Sequence, residues 1–584
     1  MRALAILLAL LAVISLSFAA DDLASRSTLS PLVDGTVTWT PRDYSGFYYD
    51  IDNNLGSETL ELNISGRQVE PGKARYVSAA QEKRFMHREW GSYSSIGFLG
   101  HSYLAGYGED CAISGRWDAL EGGLLIPVLM DDDSRRTVSS QEEIVLQEGY
   151  RIRFSDADEG LEASLFQGDR LVDSARLKAP GDYVYRTNPW PEGRGEDNVS
   201  LIAVHVDGYV RLQPASYCTV RGIFQISQNG RRVEKGQVYG LMTLASAGGG
   251  GLEMSNRQPQ DLAGDVQLMN GTAIKTTSHR DADAVGHIYL QAAGINATVV
   301  RGQVQTAGDG ETLFWTPHNF AGFFYDLDRS LGSEQLEMTI TGSRLEEPGG
   351  ITYTTTAQER DFQFQEWGRY YTMGFLGQGY FAGYSDESAM GGSRSPPVLW
   401  ERSEDVNTLV DEQLLRVLMD SNEQRQVRSG EVLDLEEGYQ ARIEVDKDCK
   451  KAFLTLTRDG NLTDQDYLDL PGTYTYQKDL GDTRGLVILA IHLSEASCSP
   501  QKTALVDGIF QISDQPQDVS VDRVYGLMRI RSVWSEGVSM DNKDASLVLH
   551  RNMDVELMPG IHLRAADQEA QSGDPIRLYI YSPI

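Results

Sequence analysis

The sequence predicts an all-β protein made of two tandem copies of a β-sandwich unit, with two sandwich modules in each copy. Three observations predict this class. A series of motifs occurs twice in one order, side chains alternate between apolar and polar with a period of two, and 58 glycines accompany frequent turn signals. Each copy is longer than the roughly 100 residues of a single β-sandwich, so two modules per copy are expected.

The duplication runs through most of the chain. An opening motif W-T-P-x-x-[YF]-x-G-F-[YF]-Y-D-[IL]-D begins at Trp39 and again at Trp315. Both copies continue, in the same order, with E-W-G, G-F-L-G, Y-[LF]-A-G-Y, V-L-M, E-G-Y, G-I-F-Q-I-S and V-Y-G-L-M. A repeat of this length exceeds the roughly 20 to 50 residues of solenoid and propeller units, so whole domains were duplicated.

The chain begins with an export signal. Arg2 supplies a positive charge, residues 3–16 are apolar, and Ser17-Phe18-Ala19 gives a small-x-small cleavage site. No later segment approaches the roughly 18 apolar residues of a membrane span, so we expect an extracellular protein without its own transmembrane anchor. The expected layout is a signal peptide at 1–19, an N-terminal linker at 20–33, repeat 1 at 34–300, a linker at 301–308 and repeat 2 at 309–584.

Strand patterns indicate antiparallel hairpins inside each copy. Tyr150, Ile152 and Phe154 alternate with polar residues, as half-buried strands do. A change in residue composition near residues 110–127 and 385–413 marks the expected boundary between the two modules of each copy. We expect residues 222–242 to return to the first module. The last strands of each copy are expected to close the second module, namely 266–273 and 287–290, with 555–562 and 577–580 as their counterparts.

The net charge excludes some partners. With 84 acidic and 52 basic residues the formal charge is −32, which repels nucleic acid and anionic membranes. The acidic excess recurs in short clusters such as 131–133, 156–159 and 434–437. An acidic solvated surface that maintains solubility is the favoured interpretation. The alternative is an acidic wall that faces ions or lines pores, with divalent cations bound at acidic edges.

Cysteines and sequons suggest modifications of an exported protein. Two disulfides allow three connectivities, and two cysteines per copy favour Cys111 with Cys218 and Cys449 with Cys498, although free thiols remain the alternative. Asn-x-Ser/Thr sequons mark five candidate glycosylation sites, of which chance would supply several. They are Asn63, Asn198, Asn270, Asn296 and Asn461.

No motif for catalysis or cofactor binding is found in the sequence, and the nine histidines are scattered. His205 recurs as His492 in the second copy, and a hydrogen-bonded strand histidine is the favoured interpretation. Glu89 and Glu366 follow the pattern of glycosidase acids but lack an identifiable second carboxylate. We therefore predict no enzyme activity.

One segment approaches a calcium loop without completing it. Residues 50–56, with Glu58 and Glu61, follow the acidic spacing of such a loop, and residues 326–337 repeat it. Leu55 stands where such a loop needs glycine for its sharp turn. Acidic residues at a strand end are the favoured interpretation, and we predict no metal ligands.

The repeated motifs, taken together, resemble those of Methanosarcina-type archaeal S-layer proteins over nearly the whole mature chain. The resemblance implies tandem β-sandwich domains that tile a cell surface as a two-dimensional lattice with narrow, negatively charged pores. It also implies self-association and a place in an S-layer or sheath, with other envelope proteins or glycans as further partners. The alternative function is a secreted glycan-binding protein or adhesin. Exposed Trp and Tyr on one face would favour the adhesin, and buried ones would favour the tile.

Overall fold

The computed structural model describes residues 26–158, 160–189, 198–213, 215–277, 286–292, 299–385, 398–567 and 575–583. The regular secondary structure of the described residues consists almost entirely of antiparallel strands, which confirms the all-β class. The expected signal peptide lies outside them. Alternation explains the outer strands, since Tyr150, Ile152 and Phe154 are buried while the residues between them are half-buried or exposed.

The first repeat contains 26 described strands and a 3₁₀ turn at Arg88–Trp90. The strands are β1 (Ser30–Pro31), β2 (Gly35–Trp39), β3 (Thr59–Ile64), β4 (Gln68–Val69), β5 (Ala74–Ala79), β6 (Gln81–Arg84), β7 (Ser92–Phe98), β8 (His101–Tyr107), β9 (Trp117–Asp118), β10 (Leu124–Asp132), β11 (Arg136–Ser139), β12 (Glu143–Val145), β13 (Tyr150–Ala157), β14 (Gly160–Gln167), β15 (Arg170–Leu177), β16 (Gly181–Thr187), β17 (Val199–Val210), β18 (Tyr217–Ile226), β19 (Arg231–Arg232), β20 (Val238–Tyr239), β21 (Met242–Gly248), β22 (Gly251–Asn256), β23 (Gln260–Asp261), β24 (Val266–Met269), β25 (Thr272–Thr276) and β26 (His287–Ala292).

The second repeat follows the same order with a 3₁₀ turn at Gln365–Trp367 and one short helix, α1 (Val398–Arg402), among its described residues. Its strands are β27 (Val299–Arg301), β28 (Gln305–Ala307), β29 (Thr312–Trp315), β30 (Gln335–Thr339), β31 (Arg344–Leu345), β32 (Ile351–Thr356), β33 (Gln358–Asp361), β34 (Arg369–Phe375), β35 (Gln378–Tyr384), β36 (Gln413–Ser421), β37 (Arg425–Arg428), β38 (Val432–Asp434), β39 (Tyr439–Val445), β40 (Lys451–Arg458), β41 (Asn461–Asp469), β42 (Gly472–Leu480), β43 (Thr483–Ser497), β44 (Thr503–Ile512), β45 (Gln517–Asp518), β46 (Val524–Tyr525), β47 (Met528–Trp534), β48 (Gly537–Asp541), β49 (Leu547–Val548), β50 (Asp554–Met558), β51 (Ile561–Ala565) and β52 (Ile576–Pro583).

Four large sheets build the first repeat. The flanking sheet has the order β2-β3-β5-β22-β21-β20, and the terminal sheet has the order β1-β26-β25-β24. The central sheet follows the path β16-β17-β18-β10-β8-β7-β6, and the outer sheet has the order β12-β13-β14-β15. The second repeat has the same four sheets, with β29-β30-β32-β48-β47-β46 as its flanking sheet and β38-β39-β40-β41 as its outer sheet.

Each repeat has two apolar cores that share the central sheet. On β8, Leu104 packs into the core beneath the outer sheet, whereas its neighbours Tyr103 and Ala105 pack into the core beneath the flanking and terminal sheets. In repeat 2 Phe381 faces one core and Ala382 the other. Because both faces of these strands are covered, their sequences read as apolar runs rather than alternations.

The expected wiring of the modules is right for one segment and wrong for another. Within residues 222–242, strands β20 and β21 return to the flanking sheet of the first module, as expected, whereas residues 222–226 belong to β18 of the central sheet and pack beneath the outer sheet. The terminal strands β24, β25 and β26 also join the first module, not the second, because Leu268, Ile274 and Leu290 pack against its core. The counterparts β50, β51 and β52 behave in the same way, with Leu563 and Ile580 in the matching core. The second module is therefore an insertion within the first.

The segments expected to be linkers contribute strands instead. Strand β1 pairs with β26, while β27 and β28 both pair with β52. Each repeat thus begins before its first motif, with a strand that pairs in its terminal sheet.

The two repeats pack against each other through a reciprocal contact. The guanidinium of Arg26 lies 5.8 Å from the ring centre of Tyr289 in repeat 1 and 5.7 Å from that of Tyr325 in repeat 2. The corresponding guanidinium of Arg301 lies over Tyr579 of repeat 2 and Tyr49 of repeat 1, at 5.8 and 5.6 Å. The four contacts match pairwise, as in an isologous dimer interface.

Backbone hydrogen bonds follow the same reciprocal pattern. The amide of Leu29 donates to the carbonyl of His318, and the amide of Val304 donates to the carbonyl of Arg42, at 2.8 and 3.0 Å. The segment that opens each repeat is therefore held by the T-P-x loop of the other repeat. The duplicated chain folds as a pseudo-twofold pair.

Of the two expected disulfides, the structure contains one. Cys449 and Cys498 form a disulfide, whereas Cys111 and Cys218 are separate buried thiols, so their expected bond is wrong. Cys111 lies beside Ile113, whose carbonyl accepts a hydrogen bond from Ser200 on β17. Cys218 pairs with Tyr209 near the other end of that strand. At about 3.3 Å per residue these ends are roughly 30 Å apart, far beyond the ~7 Å between Cα atoms that a disulfide allows.

We expect reduction to destabilise the second repeat alone. The Cys449–Cys498 bond closes a loop with a sequence separation of 49 residues, for which the loop-entropy model gives about 4 kcal/mol of unfolding free energy. The measurement is urea unfolding of the wild type and of Cys449→Ala/Cys498→Ala, with Cys111→Ala/Cys218→Ala as the matched thiol control. Peptide mapping that links Cys111 to Cys218 would contradict the structure.

Candidate functional site

A buried carboxylate lies at the centre of each first module. Glu58 is fully buried, and its carboxylate accepts hydrogen bonds from the backbone amides of Tyr48 and Gly100 at 2.6 and 3.0 Å and from the Tyr76 hydroxyl at 2.8 Å. In repeat 2 Glu334 accepts the matching three bonds at 2.6, 2.9 and 2.8 Å. The donors are Phe324, Gly377 and Tyr353.

Two glycines of the repeated G-F-L-G motif make this arrangement possible. Gly97 opens the G-F-L-G motif, and a Cβ there would lie 2.9 Å from a Glu58 carboxylate oxygen, so only glycine leaves room. Gly100 closes the motif at a φ of 82°, a conformation that favours glycine and that turns its amide toward the carboxylate. Burial raises the pKa of Glu58 and of Glu334 to about 7, although the donated hydrogen bonds oppose this shift.

The acidic residues of the calcium-like loop contact protein groups or lie on separate elements. Asp50 bonds to the amide of Asn53 at 3.0 Å and to the ammonium of Lys83 at 2.7 Å, and Lys83 and Asn53 lower its pKa against the effect of burial. Glu58 points into the core instead. Glu61 lies on β3, opposite Thr38 and Arg75. The interpretation as acidic residues at a strand end therefore fits the structure.

Some residues of the acidic clusters accept hydrogen bonds within the fold. Asp131 accepts hydrogen bonds from the Met86 amide and the Tyr93 hydroxyl, at 2.9 and 3.1 Å. Glu437 accepts from the Ser513 hydroxyl at 2.5 Å and from the Asp514 amide at 3.1 Å. Asp434, in contrast, is exposed. Asp131 and Glu437 thus have structural roles.

The repeated tryptophans are core residues. Trp39, Trp90, Trp315 and Trp367 are each at most 1% exposed. Their indole N–H groups donate to the Thr28 carbonyl, the Asp182 carboxylate, the Gln303 carbonyl and the Thr473 hydroxyl, respectively. Buried and satisfied indoles offer no platform for a sugar ring, which favours the tile over the adhesin.

Glu89 and Glu366 lie exposed on the two 3₁₀ turns beside the buried Trp90 and Trp367.

Histidines and carboxylates converge at the surface of the central sheet in repeat 1. Asp182 on β16 lies directly opposite His205 on β17, and its carboxylate is 2.7 Å from His205 Nδ1. The ring of His87 stacks on His205 with centroids 4.3 Å apart. Asp133 lies 3.2 Å from His87 Nδ1, and Asp207 lies 3.4 Å from His205 Nε2. One ligand atom each of His87, Asp182 and His205 lies within 4.8 Å of the others.

The matching place in repeat 2 keeps only one histidine. Phe364 stacks on His492 with centroids 4.4 Å apart, and Thr473 lies opposite His492 where repeat 1 has Asp182. Asp507 bonds His492 Nδ1 at 2.6 Å. The recurring histidine is hydrogen-bonded in both copies, as expected, but only repeat 1 surrounds it with a second imidazole.

Candidate glycosylation sites are accessible where the structure describes them. Asn63, Asn198, Asn270 and Asn461 are exposed, whereas Asn296 lies outside the described residues. Accessible amides fit glycosylation, which stays a prediction.

Sequence reasoning missed two features that depend on distant contacts. Glu58 was considered only as a loop ligand, although the repeated glycines around residue 97 indicated a tightly packed site. His87 carries no motif, and nothing in the chain connects it to His205 before the central sheet forms. The disulfide predicted between Cys111 and Cys218 was wrong because it too depends on contacts between distant parts of the chain.

Replacing Glu58 with glutamine should lower the free energy of unfolding by about 1 to 3 kcal/mol. The side-chain NH₂ group would face either the Tyr48 amide or the Gly100 amide, both of which donate. Glu334→Gln should have the same effect in repeat 2. Urea unfolding measures the change, with the exposed Glu89→Gln as control, and unchanged stability of both buried variants would contradict the assignment.

Stability should also fall as pH rises through neutrality. Because burial raises the pKa of both glutamates from 4.5 to about 7, the folded state holds more protons than the unfolded state between these values. The stabilisation is complete below pH 4.5 and is lost through pH 7, by about 3 kcal/mol per glutamate. Unfolding of Glu58→Gln/Glu334→Gln should show a shallower decrease than the wild type over this range. Equal slopes would overturn the assignment.

Comparison with known proteins agrees with this duplicated architecture. The family model described as S-layer protein matches residues 31–278 and 304–567, one match in each repeat. In the described ranges no helix is both long and apolar enough to pass through a membrane.

Three relatives from Methanosarcina, each named a major S-layer protein, align with nearly the full chain. The protein of Methanosarcina acetivorans is 24% identical over 582 residues, or 94% of this chain and 80% of its own length. The protein of Methanosarcina barkeri is 23% identical over 97% of this chain and 83% of its own, and that of Methanosarcina mazei is 24% identical over 97% and 85%. With matches in both repeats, the chain belongs to the S-layer protein family and has a structural S-layer function.

Proposed function

We propose that the exported protein is a self-assembling tile of a porous surface layer and has no catalytic turnover of its own. The observation that carries this proposal is the pseudo-twofold packing of the two repeats, fixed by Arg26 and Arg301. A pseudo-symmetric body presents each surface twice in related directions. Contacts made by one repeat can therefore recur at the other and extend in a plane.

The outer sheets supply one such pair of related edges. Strand β15 ends one outer sheet and β41 ends the other. At matching positions Leu171 is 52% exposed and Leu462 is 64% exposed. An exposed edge strand with an apolar side chain is a surface suited to pairing with another chain. We assign β15 and β41 as contacts between tiles.

The acidic composition would make gaps between tiles selective. A formal charge of −32 gives the walls a negative potential, which enriches cations and excludes anions within about 8 to 10 Å at moderate salt. The same charge opposes close approach of acidic edges. Divalent cations at those edges relieve the repulsion and support assembly.

Export and glycosylation complete the proposal. A signal peptide at residues 1–19 would deliver the chain to the cell surface. Glycans on the exposed Asn63, Asn198, Asn270 or Asn461 would add polar bulk outside the cores. Asn461 begins β41, so a glycan there would distinguish the two outer edges.

The purified mature protein should form ordered two-dimensional arrays, more readily with calcium or magnesium. Electron microscopy with and without chelator measures array formation. If the protein stays monomeric at high concentration under both conditions and binds a defined glycan tightly, the adhesin function replaces the tile function.

The edge assignment has its own test. Leu171→Glu/Leu462→Glu should abolish arrays while leaving the monomer's thermal unfolding unchanged, because both side chains lie in solvent. Val145→Asp is the matched control: Val145 is 71% exposed on β12, and Asp434 occupies the matching register position in repeat 2. Arrays that persist in the leucine variant, or that are lost equally in the control, would reject β15 and β41 as contacts.

A further inference from the structure

The geometry points to a binding site for one divalent transition-metal ion of the Zn²⁺ type, which we propose is held by His87, Asp182 and His205 in repeat 1. No part of the structural S-layer function requires it. The site lies where the loop after β6 meets strands β16 and β17 of the central sheet.

An unsatisfied nitrogen is the first observation. His87 is 5% exposed, and its Nε2 atom has no hydrogen-bond partner among the described residues. A buried polar atom without a partner costs free energy that a native structure normally avoids. A metal ion coordinated by Nε2 removes this cost.

The donor set fits the Zn²⁺ type. Two imidazoles and one carboxylate are ligands that this ion prefers, whereas calcium and magnesium prefer oxygen alone. The Asp182 side chain is 36% exposed, so an ion can enter from solvent. A water molecule can then take a fourth position.

Neighbouring carboxylates orient both rings. Asp133 lies 3.2 Å from His87 Nδ1, which leaves Nε2 for the metal. Asp207 lies 3.4 Å from His205 Nε2, which leaves Nδ1, the atom that contacts Asp182. Carboxylates on the far nitrogens of ligand histidines fix the ring tautomer and strengthen the metal bond.

The backbone provides room for the His87 ring. Opposite His205, strand β18 bulges, and its Gly222 has a φ of 90°. A Cβ at Gly222 would lie 2.8 Å from the His87 ring. The donor atoms lie within 4.8 Å of one another. A bound ion would bring them to a separation of about 3.3 Å, because metal–ligand bonds of 2.0 to 2.1 Å are arranged as a tetrahedron. Imidazole lone pairs lie in the ring planes, and these two planes differ by 26°, so both stacked rings must rotate for their nitrogens to reach one ion.

Repeat 2 supplies the natural comparison. Phe364 and Thr473 replace two of the three ligands on the same backbone, and Gly508 gives Phe364 the room that Gly222 gives His87. Asp182 also accepts the indole N–H of Trp90, and Thr473 accepts that of Trp367 in the same way, so a threonine can replace Asp182 in the fold. The two substitutions that would remove the site are already accommodated in the chain's own second copy.

Isothermal titration of the mature protein with Zn²⁺, in excess Mg²⁺ to occupy weak carboxylate sites, tests the proposal. The wild type should bind one ion per chain. His87→Phe and Asp182→Thr, which copy repeat 2, should each weaken binding more than tenfold, and Asp133→Asn should weaken it by roughly 10- to 100-fold. Zn²⁺ should raise the melting temperature of the wild type but not that of His87→Phe.

The control is His492→Gln, which alters the matching histidine of repeat 2 and should leave Zn²⁺ binding unchanged. Co²⁺ should give the visible spectrum of a tetrahedral site in the wild type and lose it in His87→Phe. No saturable binding by the wild type, or equal binding by the wild type and both repeat-2 substitutions, would overturn the site.

Discussion

The hydrogen bonds that hold a buried carboxylate organise each repeat. Glu58 and Glu334 each accept hydrogen bonds from backbone amides of two separate loops and from a tyrosine hydroxyl on a strand. Since a buried carboxylate without donors is costly, the loops must close around it in one arrangement. The flanking and central sheets are thereby fixed relative to each other, and the inserted module and the interface between repeats are built on that frame.

Much of the fold could be predicted because duplication and alternation are local in sequence. The alternation at Tyr150, Ile152 and Phe154 correctly identifies a half-buried strand, and the paired motifs correctly identify two copies. Alternation indicates which side chains lie on the same face of a strand, but it does not indicate which sheet packs against that face. The terminal strands around Leu290 and Ile580 were therefore assigned to the wrong module.

The candidate sites were less predictable than the fold. The Cys449–Cys498 bond lies between two turns that face each other, whereas Cys111 and Cys218 lie near opposite ends of β17, and a count of cysteines cannot separate these cases. Glu58 was visible as an acidic residue, but its burial depends on glycines some 40 positions later. His87 and His205 meet only because a bulge at Gly222 makes space, which no sequence period records.

The reciprocal packing of the two repeats also has an evolutionary consequence. Two identical chains around a true dyad must carry every feature twice, so a change that helps one half is imposed on the other. Covalent fusion removes that coupling while the arginine–tyrosine contacts keep the symmetric shape. One half has accumulated a disulfide and the other a histidine pair. The molecule thus has the shape of a symmetric dimer, but its two halves differ chemically. Any assembly built from it is therefore polar.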